Sequence, residues 1–210
     1  MRLKKGIAAA LVCGMVLTGA SVGINSSMAA QRASVPVGTV FEKGASQDAV
    51  TKAYDKKITQ LKKLKKYKNG IHNVRISCGE GEKIMVVTSY LPSGLEGATT
   101  KVTVYQYVNG KVRLIDTVES GGTAYPIAFT KNAIVYGSNH GSGQLIIRNG
   151  KATLKELTGA FMETGEKAEL TTYSVVNGKR TKKSSKKLSQ KKAKKYYYYT
   201  ELDPEVIGFE

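Results

Sequence analysis

Cysteine and histidine, which can serve as nucleophile and general base, are scarce in this chain. It has two cysteines, Cys13 and Cys78, and two histidines, His72 and His140. A cysteine nucleophile needs a thiolate, which a nearby imidazole can favour. Cys78 and His140 both fall at predicted strand ends, so a Cys78–His140 dyad is geometrically allowed, but neither residue lies in a local motif of a known hydrolase. The interpretation that we favour for Cys78 is a small buried hydrophobe.

The loop around Cys78 is rich in glycine and glutamate and reads SCGEGEK from Ser77 to Lys83. It lacks the G-x-x-x-x-G-K-[ST] spacing of a phosphate-binding loop, and its two glutamates would repel phosphate. A second glycine-rich loop, GSNHGSG at 137–143, precedes a strand rather than a helix, so we interpret it as a flexible hairpin loop. The two histidines lie far apart and no carboxylates cluster, so the sequence predicts no metal site and no cofactor.

Lysine is the abundant charged residue. The chain has 33 Lys and Arg against 16 Asp and Glu, a net charge of +17, and the segment 179–195 holds ten basic residues and no acidic one. Nucleic-acid binders usually interleave arginine and aromatic residues with their lysines, and this chain does not, so we expect no specific nucleic acid as partner. Anionic lipid or a cell-wall polymer is the expected partner, weighed evenly against a merely solvated surface. The expected polyanion-binding residues are Lys62, Lys63, Lys65, Lys66, Lys182, Lys183, Lys186, Lys187, Lys191, Lys192, Lys194 and Lys195.

The N-terminal segment has the three parts of a secretory signal peptide. Basic residues at 2–5 precede an apolar run at 6–24 and a small-residue stretch that ends at Ala30. We therefore expect a signal peptide at 1–30 and a secreted protein, extracellular or associated with the cell envelope. A retained anchor is the alternative, because the apolar run approaches the ~20 residues that span a bilayer. Lysine in excess of arginine and the lack of tryptophan suit an exported Gram-positive protein.

The mature chain is expected to contain a spacer at 31–45 and a single domain at 46–210. Residues Val50, Ala53, Tyr54, Ile58, Leu61 and Leu64 recur at steps of three and four, which predicts an amphipathic helix at 46–68. From 73 to 182 the apolar period is two, which predicts strands. The predicted strands are 74–77, 83–90, 101–108, 111–118, 124–130, 133–138, 144–148, 152–157 and 169–176.

Three Asn-Gly-Lys tripeptides, at 109–111, 149–151 and 177–179, stand between predicted strands. Asn-Gly supplies the two positive-φ residues of a type I′ hairpin turn, and Lys131-Asn132 suggests a fourth tight turn. The fold predicted is mainly β (α+β): an antiparallel β-meander that curls toward a sandwich or partial barrel. An N-terminal and a C-terminal amphipathic helix flank it, the second being a basic helix at 184–199, and 206–209 is predicted to add an edge strand.

This order of elements resembles a loosely defined group of secreted and lipid-anchored proteins of unknown function from clostridia-like Firmicutes. The resemblance rests on the pieces Ala53-Tyr54, VYQYVNGKV at 104–112, Asn139-His-Gly141, Asn177-Gly-Lys179 and the segment 184–199. Those proteins carry a D-x-D-G-D-G loop, similar to a calcium loop, where this chain has ISCGEG at 76–81. Since only Glu80 and Glu82 remain as carboxylates here, the resemblance implies a turn that folds without a bound ion.

The function predicted from these observations is binding rather than catalysis. We expect a non-catalytic binding or interaction module of the cell envelope, with affinity for anionic surfaces. We expect a monomer, and nothing in the sequence indicates a protein partner. The alternative is a small extracellular hydrolase or transferase that uses Cys78 or His140.

Overall fold

The period-two segments form the strands of two antiparallel sheets. The computed structural model describes residues 45–78, 82–131, 133–162 and 165–209, with the side chains of 45–48, 78, 82 and 83 left out. The predicted signal peptide and residues 31–44 of the predicted spacer lie outside the described residues, and Ala45 begins α1. The elements are α1 (Ala45–Lys62), β1 (His72–Cys78), β2 (Glu82–Thr88), β3 (Lys101–Val108), β4 (Lys111–Glu119), β5 (Ala128–Thr130), β6 (Ala133–Ser138), β7 (Gly141–Arg148), β8 (Lys151–Thr158), β9 (Ala168–Val176), β10 (Lys179–Leu188), α2 (Gln190–Ala193), α3 (Tyr198–Glu201) and β11 (Glu205–Val206), with 3-10 turns at Lys65–Tyr67 and Lys194–Tyr196.

The sheets stack face to face. One has four strands in the order β1-β2-β3-β4, and the other has seven in the order β10-β9-β8-β7-β6-β5-β11. Val86 and Val104 of the first sheet share a buried cluster with Leu145 and Leu154 of the second. The predicted β-rich α+β fold is confirmed; the described strands do not close a barrel. None of the described helices is long and apolar enough to cross a bilayer.

The helix α1 covers the outer face of the four-stranded sheet. Val50, Tyr54 and Leu61 share a buried cluster with Met85 and Val87 of β2. Because β2 is covered on both faces, its residues 84–88 are all buried. The predicted apolar helix face is therefore confirmed from Val50 to Leu61 and is wrong at Leu64.

The predicted end of this helix, at 68, is wrong. The helix stops at Lys62, and Leu64 is extended, with φ −83° and ψ 138°. The Leu64 side chain is 45% exposed, whereas Tyr67 is buried in the same cluster as Tyr105. Burying the large ring of Tyr67 outweighs continuing the helix, since an aromatic side chain contributes more apolar area than Leu64 would.

The predicted basic helix at 184–199 is wrong. Residues 179–188 form β10, which pairs with β9 from Lys179 opposite Val176 to Leu188 opposite Ala168. The turn at 177–178 leads the chain back along β9, whose main-chain groups would otherwise be unpaired. Only short helical pieces follow, at 190–201. Residues 179–187 are exposed on both faces of the strand, so they do not alternate between apolar and polar types as a half-buried strand does. The sequence therefore shows no sign of this strand.

The three predicted Asn-Gly turns are confirmed. Asn109, Asn149 and Asn177 have φ near 50°, at 50°, 49° and 51°, and the glycines that follow have φ of 77°, 73° and 77°. Two of these turns also join the sheets. The Gly150 N–H donates to Gln106 Oε1 at 2.6 Å, and the Gly178 N–H donates to the Ile115 carbonyl at 2.9 Å.

Other predicted boundaries need correction. The strand expected at 124–130 covers only Ala128–Thr130, and β11 is a two-residue edge strand paired with β5. The loop GSNHGSG is a two-residue turn, because Ser138 pairs with Gly141 and residues 141–143 belong to β7. The fourth turn includes Asn132, which lies outside the described residues.

Close packing explains why position 143 of β7 is a glycine. It lies directly opposite Tyr136 of β6, and a Cβ at position 143 would come within 2.0 Å of Tyr136 Cζ. The Tyr136 ring therefore occupies the space that a side chain at position 143 would fill. The glycines that suggested flexibility instead allow close packing.

A matched pair of substitutions tests the role of the turn at 177–178. Gly110 and Gly178 have the same φ, +77°, but a Cβ at 110 meets nothing within 4 Å, whereas one at 178 would lie 3.1 Å from Leu114 Cδ2. Both changes to Ala introduce left-handed strain of about 1–2 kcal/mol. We expect Gly178→Ala to lower the free energy of unfolding in urea by about 1 kcal/mol more than Gly110→Ala, because it crowds the contact between sheets. Equal losses would contradict this role.

Candidate functional site

Eight of the twelve lysines predicted to bind polyanions lie on the terminal strand β10 and on the short helical turns that follow it, and we call this segment the basic edge. They are Lys182, Lys183, Lys186, Lys187, Lys191, Lys192, Lys194 and Lys195, and all are exposed. The first four belong to β10, the terminal strand of the seven-stranded sheet. Because successive side chains of a strand point to opposite faces, these lysines flank the sheet edge on both sides.

Few groups compensate the charge of the basic edge. Lys182 Nζ lies 3.3 Å from Glu169 Oε1, and Lys186 Nζ lies 5.0 Å from the centre of the Tyr196 ring. Hydrogen bonds from Ser185 and then from Lys182 lower the pKa of Glu169. In the part of the chain that the structure describes, Glu169 is the one carboxylate paired with these eight lysines.

The other four predicted lysines lie at the end of α1. Lys62, Lys63, Lys65 and Lys66 are all exposed. Lys66 Nζ lies 4.8 Å from the centre of the Tyr67 ring, and Lys62 stands in the last helical turn, where a cation complements the helix dipole. The structure thus divides the predicted set into two groups that belong to different layers.

The two proposed catalytic residues lie in different sheets. Cys78 ends β1 opposite Glu82, and its side chain is outside the described residues, so the Cys78–His140 dyad stays a prediction. His140 lies in the turn between β6 and β7. Its Nδ1 lies 3.0 Å from the Ala160 carbonyl oxygen. A carbonyl can only accept, so Nδ1 carries a hydrogen and donates, which leaves Nε2 as the ring nitrogen not engaged by Ala160.

Arg180 has an interior partner that the sequence analysis missed. Its Nε donates to Asp116 Oδ2 at 2.9 Å, and its Nη2 donates to the Thr117 carbonyl at 3.0 Å. The Asp116 side chain is only 5% exposed, and these bonds join β10 to β4 across the two sheets. The available signal was that Arg180 is the single arginine among the basic residues of 179–195. A forked guanidinium suits a buried carboxylate better than a lysine does.

Glu156 and Tyr136 extend this polar group. Glu156 Oε1 lies 3.9 Å from Arg180 Nη1 and accepts a hydrogen bond of 2.9 Å from the Tyr136 hydroxyl. Burial raises the pKa of Tyr136, so the hydroxyl keeps its proton and donates. Burial also raises the pKa of Asp116, an effect that Arg180 offsets in part and Glu156 reinforces.

A cleft of about 420 Å³ opens beside this group. It is lined by residues 119–121, 136–138, 140–142 and 156–159, and we call it the acidic cleft. Its ionisable side chains are Glu119, Glu156, His140 and Tyr136, and the lining includes no lysine or arginine among the residues that the structure describes. Over the same described ranges, no three His, Cys, Asp or Glu side chains come together to hold a metal ion.

Comparisons of this chain with protein-family models, with curated proteins and with solved structures found no match.

Two carboxylates with opposite pKa shifts give a test of the interior group. For Asp116, whose pKa is raised above 3.8, stability is fully present below the ordinary pKa and is lost as pH rises through the raised value. For Glu169, whose pKa is lowered below 4.5, stability is present above the ordinary pKa and is lost as pH falls through the lowered value.

For each of the variants Asp116→Asn and Glu169→Gln, the free energy of unfolding is subtracted from that of the unmodified chain at every pH. We expect the two differences to change with pH in opposite directions. The Asp116 difference should decrease as pH rises, and the Glu169 difference should increase. Chemical denaturation at a series of pH values measures both differences. A loss of stability that does not depend on pH shifts a difference by a constant amount and leaves its slope unchanged. Slopes of the same sign would contradict the burial of Asp116 as the dominant cause.

Proposed function

We propose that this protein is a secreted, non-catalytic binding module of the cell envelope, which binds anionic polymers or lipid headgroups through the basic edge. The observation that carries the proposal is the exposure of eight lysines within residues 182–195, with one paired carboxylate among the described residues. Secretion is supported by the signal-peptide pattern at 1–30.

The charge density of β10 favours attraction to a polyanion. Lys182, Lys183, Lys186 and Lys187 lie within six residues of extended chain, about 20 Å at ~3.3 Å per residue. The Debye length at physiological ionic strength is about 8 Å, so neighbouring lysines act together on an approaching polyanion. Because the ammonium groups stand at an edge, an extended polymer can contact several of them at once.

The hydrolase alternative has less support. The His140 ring is oriented by the Ala160 carbonyl, as a general base often is. However, the one hydrogen bond of that ring within the described residues is to the Ala160 carbonyl, so no described hydroxyl is hydrogen-bonded to it as an activated nucleophile would be. Binding by the basic edge is the function that the geometry supports best.

The basic edge is tested by removing three of its charges. We compare Lys183→Gln, Lys187→Gln and Lys191→Gln in one variant with Lys111→Gln, Lys131→Gln and Lys151→Gln in a matched control, all six lysines being exposed. Each lysine near an anionic surface contributes about 1 kcal/mol, so the first variant should lose roughly 100-fold in affinity. Co-sedimentation with anionic vesicles, and with purified wall polymer, measures the loss across a salt series.

The control variant carries the same net charge, so it should lose far less if binding is local. Equal losses would show that only the overall charge matters. Absence of binding by the unmodified protein at low salt would overturn the proposal, because screening is weakest there.

A further inference from the structure

The acidic cleft has the size of a small-molecule site. Its volume, about 420 Å³, falls within the ~300–1,000 Å³ that is usual for ligand pockets. Tyr136 is held by packing against Gly143 and by the hydrogen bond to Glu156, so the carboxylate that it contacts is held in place. The cleft lies apart from the lysines of the basic edge, none of which lines it.

The charge balance beside the cleft is negative. Asp116 and Glu156 share one cation, Arg180, and Asp116 has the closer contact, 2.9 Å against 3.9 Å. Glu119, the other carboxylate of the lining, has its own partner in Lys101 at 2.6 Å. The uncompensated charge therefore resides mainly on Glu156, whose side chain remains 27% exposed at the cleft.

Several hydroxyl groups of the cleft donate to acceptors of the protein itself. The Ser138 hydroxyl donates to the Gly141 carbonyl at 3.3 Å, and the Ser142 hydroxyl donates to the Tyr196 carbonyl at 3.1 Å. The Tyr136 hydroxyl is taken by Glu156. The Glu156 carboxylate and His140 Nε2, the ring nitrogen that is not bonded to Ala160, remain to accept hydrogen bonds from a ligand. A ligand that pairs with these two acceptors brings hydrogen-bond donors, and one that balances Glu156 brings positive charge.

We propose that the acidic cleft binds the primary ammonium group of a small molecule, with Glu156 as its counter-charge and His140 Nε2 as a further acceptor. An ammonium group offers three donors and one positive charge, which are what the cleft lacks. A divalent cation fits less well, because no three ligating side chains cluster among the described residues. An inorganic or organic anion would be repelled by Glu156.

The test compares a diamine with its neutral counterpart on the unmodified protein. Cadaverine and 1,5-pentanediol have the same chain length and both donate hydrogen bonds, but only cadaverine is charged. Backbone amide shifts at Gly141 and Gly159 are followed by NMR during titration. We expect saturable shifts with cadaverine and at least about tenfold weaker binding of the diol. The net charge of +17 opposes non-specific binding of a cation, so saturation would report a local site.

A conservative variant assigns the charge to one residue. Glu156→Gln keeps an oxygen that can accept the Tyr136 hydrogen bond but removes the negative charge, so it should weaken cadaverine binding about tenfold or more. Glu201→Gln removes an exposed charge that does not line the cleft and should leave binding unchanged. Thermal unfolding shows that both variants are folded.

Three results would overturn the proposal. Equal affinity for cadaverine and 1,5-pentanediol would show a site for neutral donors. Unchanged cadaverine binding by folded Glu156→Gln would assign the charge elsewhere. No saturable shift at either glycine would show that the cleft does not bind an amine, and this result does not depend on any variant.

Discussion

The buried carboxylate of Asp116 is the constraint on which much of this structure depends. A charge taken out of water is unfavourable unless a cation and hydrogen bonds compensate it. Asp116 sits between the two sheets, and its cation comes from Arg180, 64 residues later in the chain. To reach it, the segment after Asn177 must return along β9 as a strand. The ion pair thus links the conformation of the C-terminal basic segment to the interior of the sandwich.

The same ion pair separates two electrostatic environments. Arg180 is directed inward, whereas the lysines that follow it in β10 remain in solvent. On the interior side, Glu156 and Asp116 compete for one guanidinium, which leaves negative charge beside the acidic cleft. A chain with a large positive net charge therefore has a local site of the opposite sign. Net charge alone would not indicate this.

The elements that could be predicted from the sequence are those set by local rules. The α1 face follows from helical spacing, and the Asn-Gly turns follow from the backbone that these two residues favour. The β10 strand could not be predicted this way, because an edge strand exposed on both faces has no apolar alternation. Its conformation depends on pairing with β9 and on the distant Asp116, and neither is a local property.

The candidate sites divide in the same way. Exposed lysines could be predicted from composition, and the structure places all twelve at the surface. The group of Tyr136, Glu156 and Arg180 could not, since its members come from three strands that are brought together only by the sheet order. Gly143 is an example of a role that the sequence does not reveal. It stands in a glycine-rich stretch that is typical of a loop, yet it lies in a strand and leaves space for the Tyr136 ring of the neighbouring strand.

The free side of β10 has a consequence for contacts between molecules. A terminal strand exposes unpaired main-chain groups that can template pairing with a second chain, and natural proteins often prevent this with lysine. Four lysines in six residues make two such edges repel each other, and the irregular register at Lys182 and Ser184 interrupts the straight row of hydrogen-bonding groups that pairing needs. The side chains proposed to attract a polyanion therefore also oppose edge-to-edge aggregation of the protein with itself.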